Sequence, residues 1–290
     1  MPTVMRLRGS KRNFESAERT LAQVASRERT PARFEPPRSL ARRVDITRSE
    51  QNGWPVYTIG PRTTDAGRRA LYLHGGAYVY QIARQHWTLV ADLASSTGTT
   101  FVVPIFPLAP SDTAATIVPT VTAMATTLID EVGAERFSLL GDSAGGGMAL
   151  AVAMTLRDTG IPAPHATVLI SPWLDISGTD PQLQVIQPRD PWLAVPGSHA
   201  AGALYRGDLA EDDAMVSPIN GSLDGLGAIT MFSGTRDILN ADARRLVARA
   251  KEEGLKLDYH EAREMIHVYP LLPIREAGEA RAVIRAAMPH

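Results

Sequence analysis

A chain of 290 residues, of which 44% are hydrophobic and 21% are charged, is long enough to form one large α/β domain or two small ones around a substantial core. Its net charge of −1 excludes a nucleic-acid or membrane partner recognised by bulk charge, and no apolar run approaches the roughly 20 residues of a membrane span. The absence of cysteine excludes disulfides, thiolate metal sites and cysteine nucleophiles. It is compatible with any compartment, and a cytoplasmic location is the default expectation.

The first 43 residues are rich in arginine and predict a segment separate from the body of the protein, which begins near Val44. The stretch 14–27 has the apolar spacing of an amphipathic helix that lays one face on another element. The residues of this predicted seam are Phe14, Ala17, Leu21 and Val24. Prolines between residues 31 and 37 then predict an extended linker.

From Val44 onward, predicted strands alternate with predicted helices. We predict strands at 44–47, 56–59, 69–74, 100–105, 137–140, 166–170, 228–234 and 256–260, and helices at 86–96, 115–131, 144–158, 241–253 and 274–287. This alternation indicates βαβ units, and right-handed crossovers place helices on both faces of the sheet. The predicted fold class is therefore α/β, with a mostly parallel sheet of about eight strands.

The alternation is interrupted between residue 171 and about residue 226. Pro, Gly, Asp and Trp are frequent there, and only 197–205 has a helical pattern. An irregular insertion of this length in a compact domain is typical of a functional loop or a lid.

The segment Gly141-Asp142-Ser143-Ala144-Gly145 joins a short apolar run to an Ala- and Leu-rich stretch, which predicts a strand, a tight turn and a helix. Ser143 is expected at the strained apex, flanked by glycines because side chains there would collide with neighbouring backbone. The N–H groups at the start of the helix would face a developing negative charge. The alternatives are a packing turn or a phosphate cradle, but the segment matches neither a Walker loop nor a dinucleotide fingerprint.

A nucleophilic serine needs a base and a carboxylate that orients the base. His267 lies in the loop between the last strand and the last helix, and Asp237 directly follows the penultimate strand. A lone histidine is more often structural, and a loop aspartate more often forms a turn. The order Ser…Asp…His, with each residue after a strand, nevertheless favours a catalytic triad of Ser143, Asp237 and His267.

Two glycines directly follow the third predicted strand, in His74-Gly75-Gly76-Ala77. Because glycines leave backbone amides accessible, the N–H groups of Gly75, Gly76 and Ala144 form the predicted oxyanion hole. The alternative is a plain glycine turn.

Taken jointly, these motifs resemble the bacterial hormone-sensitive-lipase-like branch of the α/β-hydrolases. The matching stretches are His74-Gly75-Gly76-Ala77, residues 141–146, residues 171–175, Asp190-Pro191-Trp192, Asp237 and His267. The resemblance implies an α/β-hydrolase domain of residues 44–290, covered by a cap made from residues 1–43 and an insertion at about 176–218. It also implies a serine esterase that acts on a small-molecule ester and needs no cofactor.

Three departures from the family pattern are visible. Ala77 replaces a third glycine, although its N–H can still contribute to the oxyanion hole. Residues 105–111 lack the usual Arg and Glu near the pocket floor, so support there must be built differently. Residues 238–242 differ from the usual motif after the carboxylate, which makes Asp242 the alternative to Asp237.

Other patterns carry less weight. His260 and His267 resemble a zinc motif, but they are not an i, i+4 pair on one helix, so no metal site is predicted. Trp173 and Trp192 either line the substrate pocket, as the family suggests, or pin the insertion to the core. Asp142 is a further candidate for substrate binding.

The sequence thus predicts hydrolysis of short- to medium-chain acyl esters through an acyl-enzyme. A non-catalytic small-ligand receptor on the same fold is the alternative from another class, because fold does not determine function. The presence of His267 disfavours it, since receptors of this family lose that base. Amide or lactone hydrolysis, and a homodimer as the assembly, stay open; no nucleic acid and no stable membrane insertion are expected.

Overall fold

The computed structural model describes residues 10–63 and 65–289. Its strands are β1 (Val44–Gln51), β2 (Trp54–Pro61), β3 (Arg69–Leu73), β4 (Thr100–Pro104), β5 (Phe137–Asp142), β6 (Ala166–Ile170), β7 (Ile229–Gly234) and β8 (Leu257–Ala262). They form one sheet in the order β1-β2-β4-β3-β5-β6-β7-β8. Strand β2 is antiparallel to β1 and β4, and the later pairs are parallel. The predicted α/β class with a mostly parallel sheet is confirmed.

The helices lie on both faces of this sheet. Within the described residues they are α1 (Ala17–Arg29), α2 (Arg84–Thr97), α3 (Ala114–Val132), α4 (Ala144–Asp158), α5 (Pro181–Ile186), α6 (Val195–Arg206), α7 (Asn240–Glu253) and α8 (Arg275–Ala287). Successive residues of β3 belong to opposite layers: Leu71 packs with α3 and α4, whereas Tyr72 packs with α2 and α8. Burial on both faces explains why the central strands are continuously apolar.

The first hairpin is longer than predicted. In the pairing of β1 with β2, Val44 lies opposite Pro61 at one end and Gln51 lies opposite Trp54 at the other. The turn between the strands therefore consists of Asn52 and Gly53. Both turn residues have positive φ, 52° and 77°, as a two-residue hairpin turn requires. The second half of β1 is polar because it lies exposed at the edge of the sheet. It therefore lacks the apolar residues on which the prediction of strands relied.

The predicted N-terminal helix exists, but its predicted apolar seam is only half correct: Phe14 and Val24 are buried in the core, whereas Ala17 and Leu21 are not. Ser16 caps the helix through a hydrogen bond from the Arg19 N–H, so Phe14 precedes the helix and does not share its periodicity. Ala17 and Leu21 are exposed. The face turned to the protein instead carries Thr20, Val24 and Arg27, at i, i+4 and i+7.

The insertion after β6 contains α5 and α6, whereas only 197–205 was predicted to be helical. Helix α5 begins with a common N-terminal capping pattern, which the prediction did not use. The Asp180 carboxylate accepts a hydrogen bond from the Gln182 N–H at 2.7 Å, and Pro181 occupies the first helical position. Helix α6 packs against the N-terminal segment. The Gly197 N–H donates to the Phe14 carbonyl at 2.9 Å, so the two parts of the predicted cap are in direct contact.

Candidate active site

Ser143 lies at the turn between β5 and α4 with φ 52° and ψ −122°, a backbone conformation that residues other than glycine rarely adopt. The flanking glycines are required by space. A Cβ on Gly145 would lie 2.0 Å from the Leu73 carbonyl oxygen, and a Cβ on Gly141 would lie 2.1 Å from the Gly145 carbonyl oxygen. The strained turn is therefore held by close backbone packing and places Ser143 at the wall of a cavity beyond the ends of the strands.

Three residues from separate loops meet at this turn. The Nε2 atom of His267 lies 2.9 Å from the Oγ atom of Ser143, and Nδ1 lies 2.8 Å from the Oδ2 atom of Asp237. Asp237 is completely buried, and His267 and Ser143 are 4% and 8% exposed. The Asp237 carboxylate therefore keeps the His267 proton on Nδ1, which leaves Nε2 free to accept the serine proton.

The alternative carboxylate does not contact His267. Asp242 is buried at the first turn of α7 and pairs with Arg245 at 2.7 Å. Burial, only partly offset by Arg245, raises the pKa of Asp242 to about 7. Of the two aspartates that the sequence left open, the structure places Asp237 against the imidazole.

A second buried carboxylate lies beside Asp237. Asp190 is 1% exposed, and its Oδ1 atom accepts the N–H groups of Trp192 and Leu193 at 2.7 and 2.9 Å. Its Oδ2 atom accepts the Ile238 N–H at 2.9 Å, which ties the insertion to the loop that carries Asp237. Burial and the charge of Asp237 raise the pKa of Asp190 to about 6.

These carboxylates set the charge state of the imidazole. Burial by itself lowers the pKa of His267, but the charge and hydrogen bond of Asp237, followed by the charges of Asp190 and Asp142, outweigh burial. The net result is a pKa above the ordinary value of about 6.5. The site therefore stabilises the imidazolium that forms when His267 takes a proton.

One predicted oxyanion donor is already engaged. The Gly75 N–H donates to the Oδ1 atom of Asp142 at 3.0 Å, so it is not free for a substrate oxygen. Within the part of the chain that the structure describes, the N–H groups of Gly76 and Ala77 make no hydrogen bond. The Ala144 N–H, at the first residue of α4, has no intrahelical partner. We therefore replace Gly75 by Ala77 in the candidate donor set.

Asp142 supports the oxyanion loop from below. Besides the Gly75 N–H, its carboxylate accepts the Tyr72 hydroxyl at 2.6 Å and lies 3.3 Å from Nε2 of His86. The Ala83 N–H donates to Nδ1 of His86, so the imidazole proton is on Nε2 and points at Asp142. Burial favours the neutral acid, but these partners together lower the pKa of Asp142. Asp142 borders the cavity, yet its carboxylate oxygens are occupied by protein groups.

A cavity of about 330 Å³ opens above Ser143 and His267. Its apolar wall is formed by Phe14, Trp192, Leu193, Val268, Leu271 and Leu272. The Trp192 ring meets the His267 ring edge-on, with centroids 5.6 Å apart. Trp173 does not line the cavity, because it is buried beneath α6, where it stacks on Tyr78 and donates to the Asp175 carbonyl at 2.9 Å. Of the two roles that the sequence left open for Trp173, these contacts agree with pinning the insertion to the core and not with lining this cavity.

Several residues of the site were not predicted. Asp190 and Ala77 belong to two of the sequence motifs described above. A motif, however, does not show from which N–H groups a carboxylate accepts hydrogen bonds, or which N–H groups are left without a partner. Tyr72 and His86 carried no signal beyond their positions in a strand and at a helix start.

The described residues show neither a metal-binding cluster nor a membrane-spanning helix. Among residues 10–63 and 65–289, no three potential ligands are grouped so that they could hold a metal ion. In the same ranges, no helix combines the length and the apolar character that a membrane span requires.

Comparison with known proteins agrees with this architecture. The profile of a family described as having the alpha/beta hydrolase fold matches residues 70–271. A triacylglycerol lipase of Mycobacterium tuberculosis is 34% identical over 222 residues, which cover 76% of this chain and 46% of that protein. This chain thus spans about half the length of that relative. An acetyl-hydrolase of Streptomyces hygroscopicus is 31% identical over 244 residues and 80% of each chain.

Among solved structures, an esterase from the bacterial hormone-sensitive lipase family superposes with a TM-score of 0.78. It is 29% identical, and the superposition covers 93% of this chain and 96% of that one. The strained Ser143 turn and the matched region from the third strand to the loop after His267 agree with this likeness. The chain belongs to the α/β-hydrolase family, in its bacterial hormone-sensitive-lipase-like branch.

Proposed function

We propose that the protein is a serine carboxylesterase for esters of short- to medium-chain acids. The observation that carries the proposal is the position of His267, at 2.8 Å from Asp237 and 2.9 Å from Ser143, inside a cavity bounded by apolar side chains. The names of the relatives, a triacylglycerol lipase and an acetyl-hydrolase, support ester hydrolysis.

In the first half of the reaction, the Ser143 Oγ atom attacks the ester carbonyl carbon while His267 Nε2 takes the hydroxyl proton. The N–H groups of Gly76, Ala77 and Ala144 stabilise the oxyanion. His267 then gives its proton to the alcohol oxygen, the C–O bond breaks, and an acyl-enzyme remains on Ser143.

In the second half, water replaces the alcohol. His267 takes a proton from the water as the oxygen attacks the acyl carbon, and it returns that proton to Ser143 Oγ when the acid leaves. Throughout both halves, Asp237 fixes the imidazole tautomer and stabilises its positive charge.

The size of the cavity supports short acyl chains. A volume of about 330 Å³ is near the lower limit of the roughly 300–1,000 Å³ range for small-molecule pockets. Each added methylene gains roughly 0.8 kcal/mol only while it can be buried against an apolar wall. We therefore expect kcat/KM to peak for acyl chains of about two to eight carbons and to fall for longer ones.

The test is a panel of p-nitrophenyl esters from acetate to palmitate, run beside aryl amides and lactones, with Ser143→Ala as the inactive control. Turnover of short esters that is lost in the control supports the proposal. Faster hydrolysis of the palmitate than of the butyrate ester would contradict the bounded pocket. Turnover of amides alone, or of lactones without any open-chain ester, would contradict a carboxylesterase for open-chain esters.

The proposal extends to location and assembly. A cytoplasmic location is proposed as the default, and fractionation of producing cells tests it. A homodimer is proposed as the assembly, and sedimentation equilibrium distinguishes it from a monomer.

A further inference from the structure

Arg27 brings a positive charge to the wall of the cavity that holds Ser143. It lies in the last turn of α1, three residues after the buried Val24. Its guanidinium carbon lies 3.4 Å from the centroid of the Tyr80 ring, and Nη1 donates to the Val79 carbonyl at 3.2 Å. The geometry thus fixes the cation on the ring face and beside the backbone of the loop.

This position is next to the candidate oxyanion hole. The Tyr80 N–H donates to the Gly76 carbonyl at 2.7 Å, so the ring under Arg27 belongs to the same tight turn as Gly76 and Ala77. A Cβ on Gly76 would lie 2.2 Å from the Tyr80 carbonyl oxygen, which shows how closely the turn is packed. Arg27 therefore lines the same cavity as Gly76, Ala77 and Ser143, and it is held on the loop that carries the candidate oxyanion donors.

Arg27 has no counter-ion in the described part of the chain. No carboxylate there lies within 4.0 Å of its guanidinium, whereas Arg19 on the same helix pairs with Glu15. Residues 1–9 contain no Asp or Glu that could supply one. Among the described residues that line the cavity, the one carboxylate is that of Asp142, which already interacts with Tyr72, Gly75 and His86.

Leaving a half-buried cation without an anion is costly, because desolvation is not repaid by an ion pair. Burial indeed lowers the pKa of Arg27, and the electrostatic interaction and hydrogen bond with Tyr80 only partly offset this effect. Arginine nevertheless stays protonated at neutral pH, and it offers a planar fork of N–H donors that matches a carboxylate. Besides the Val79 carbonyl and Tyr80, no group among the described residues accepts a hydrogen bond from Arg27, so part of the fork is left for a ligand.

We infer that Arg27 is a specificity-determining residue that binds an anionic group of the substrate, so that the preferred substrates are short esters bearing a second, carboxylate function. This inference rests on the esterase function proposed above. The carboxylate is carried by either the acyl part or the alcohol part of the ester, and matched substrates distinguish the two.

The experiment compares two pairs of esters by acid release in a pH-stat. Monoethyl succinate is compared with ethyl butyrate, and 4-acetoxybutyrate with butyl acetate, so that each pair differs by a terminal carboxylate in place of a methyl group. At pH 7.5 the carboxylates are ionised, because their pKa is close to the value of about 4.3 for a glutamate side chain. We expect the wild-type kcat/KM to be higher for the anionic member of one pair.

The variants then test the residue. Arg27→Gln is expected to lower the anionic-to-neutral ratio of kcat/KM by about ten- to a hundredfold, the range of a hydrogen bond to a charged group. Arg27→Lys keeps the charge and is expected to keep part of the preference, which serves as the readout if Arg27→Gln folds poorly. Arg29→Gln removes the same charge from an exposed position on α1 and is expected to leave the ratio unchanged.

The outcomes separate the two proposals. Hydrolysis of the neutral esters with no preference for either anionic partner, or a ratio that Arg27→Gln does not change, would overturn this inference and leave the esterase function standing. Arg27 would then serve only to pin α1 to the oxyanion loop. Failure to hydrolyse any of the four esters would overturn the esterase function and, with it, the inference.

Discussion

Replacing Asp237 by Asn changes one carboxylate oxygen to an amide nitrogen at the centre of the site. The Oδ1 atom of Asp237 accepts the Leu239 N–H at 3.0 Å, and an Asn oxygen can keep that bond. The amide nitrogen then takes the place of Oδ2, opposite Nδ1 of His267. Because an amide N–H donates, it favours the imidazole tautomer that carries its proton on Nε2, which can no longer accept the proton of Ser143.

The expected loss is large. In the serine-protease template the equivalent change lowers kcat by about 10⁴, which is roughly 5.4 kcal/mol of transition-state stabilisation at 1.36 kcal/mol per factor of ten. Here too each imidazole nitrogen has its partner at hydrogen-bond distance, Asp237 at 2.8 Å from Nδ1 and Ser143 at 2.9 Å from Nε2, so we expect a loss of the same order. Asp237 is also the main group that raises the pKa of His267, so the residual activity should begin at a lower pH than in the wild type.

The assay is steady-state hydrolysis of p-nitrophenyl butyrate, with thermal unfolding to show that the variants fold. Asp242→Asn is the matched control, because Asp242 is as buried as Asp237 and lies five residues later, in the first turn of α7. Its carboxylate pairs with Arg245. Its kcat should stay close to that of the wild type. A folded Asp237→Asn enzyme within tenfold of wild-type kcat, or a larger loss in Asp242→Asn, would refute the assignment of the carboxylate.

The remaining predictions concern the nucleophile, the base and the cap. Ser143→Ala should abolish both ester turnover and labelling by a fluorophosphonate, and a folded variant that is still labelled would point to another nucleophile. The value of kcat/KM should rise with pH through one group with a midpoint above 6.5 and then level off, because His267 must be neutral and its pKa is raised; a rate that is flat from pH 5 to 8 would exclude it. Asp190→Asn should move that midpoint to lower pH, since a negative charge that raises the pKa of His267 is lost, whereas an unchanged midpoint would leave Asp190 a purely structural role. Gly197→Ala should loosen the cap and flatten the acyl-chain preference, because the new Cβ would lie 2.4 Å from the Cα atom of Phe14; an unaltered chain-length profile and melting temperature would contradict this contact.

Much of the fold could be predicted because its signals are local. The central strands are buried on both faces and are therefore continuously apolar, as Leu71 and Tyr72 in β3 illustrate. Parallel strands bring their carboxyl ends to one edge, so Ser143, Asp237 and His267 could be expected to meet from chain order alone. The structure places them at hydrogen-bond distances, and their catalytic roles stay predictions that the variants above test.

The tertiary structure alone decided how polar groups are shared between distant loops. Nothing in the glycine motif tells that the Gly75 N–H is taken by Asp142, 67 residues later, or that Asp190 accepts the Ile238 N–H across 48 residues. Periodicity likewise could not show that Trp173 is buried against Gly202 of α6. Nor could it show that Arg27 reaches the cavity with no counter-ion among the residues that the structure describes. Hydrogen bonds and charge pairing depend on where side chains meet in space, whereas a strand or helix pattern records only which face of its own element is apolar.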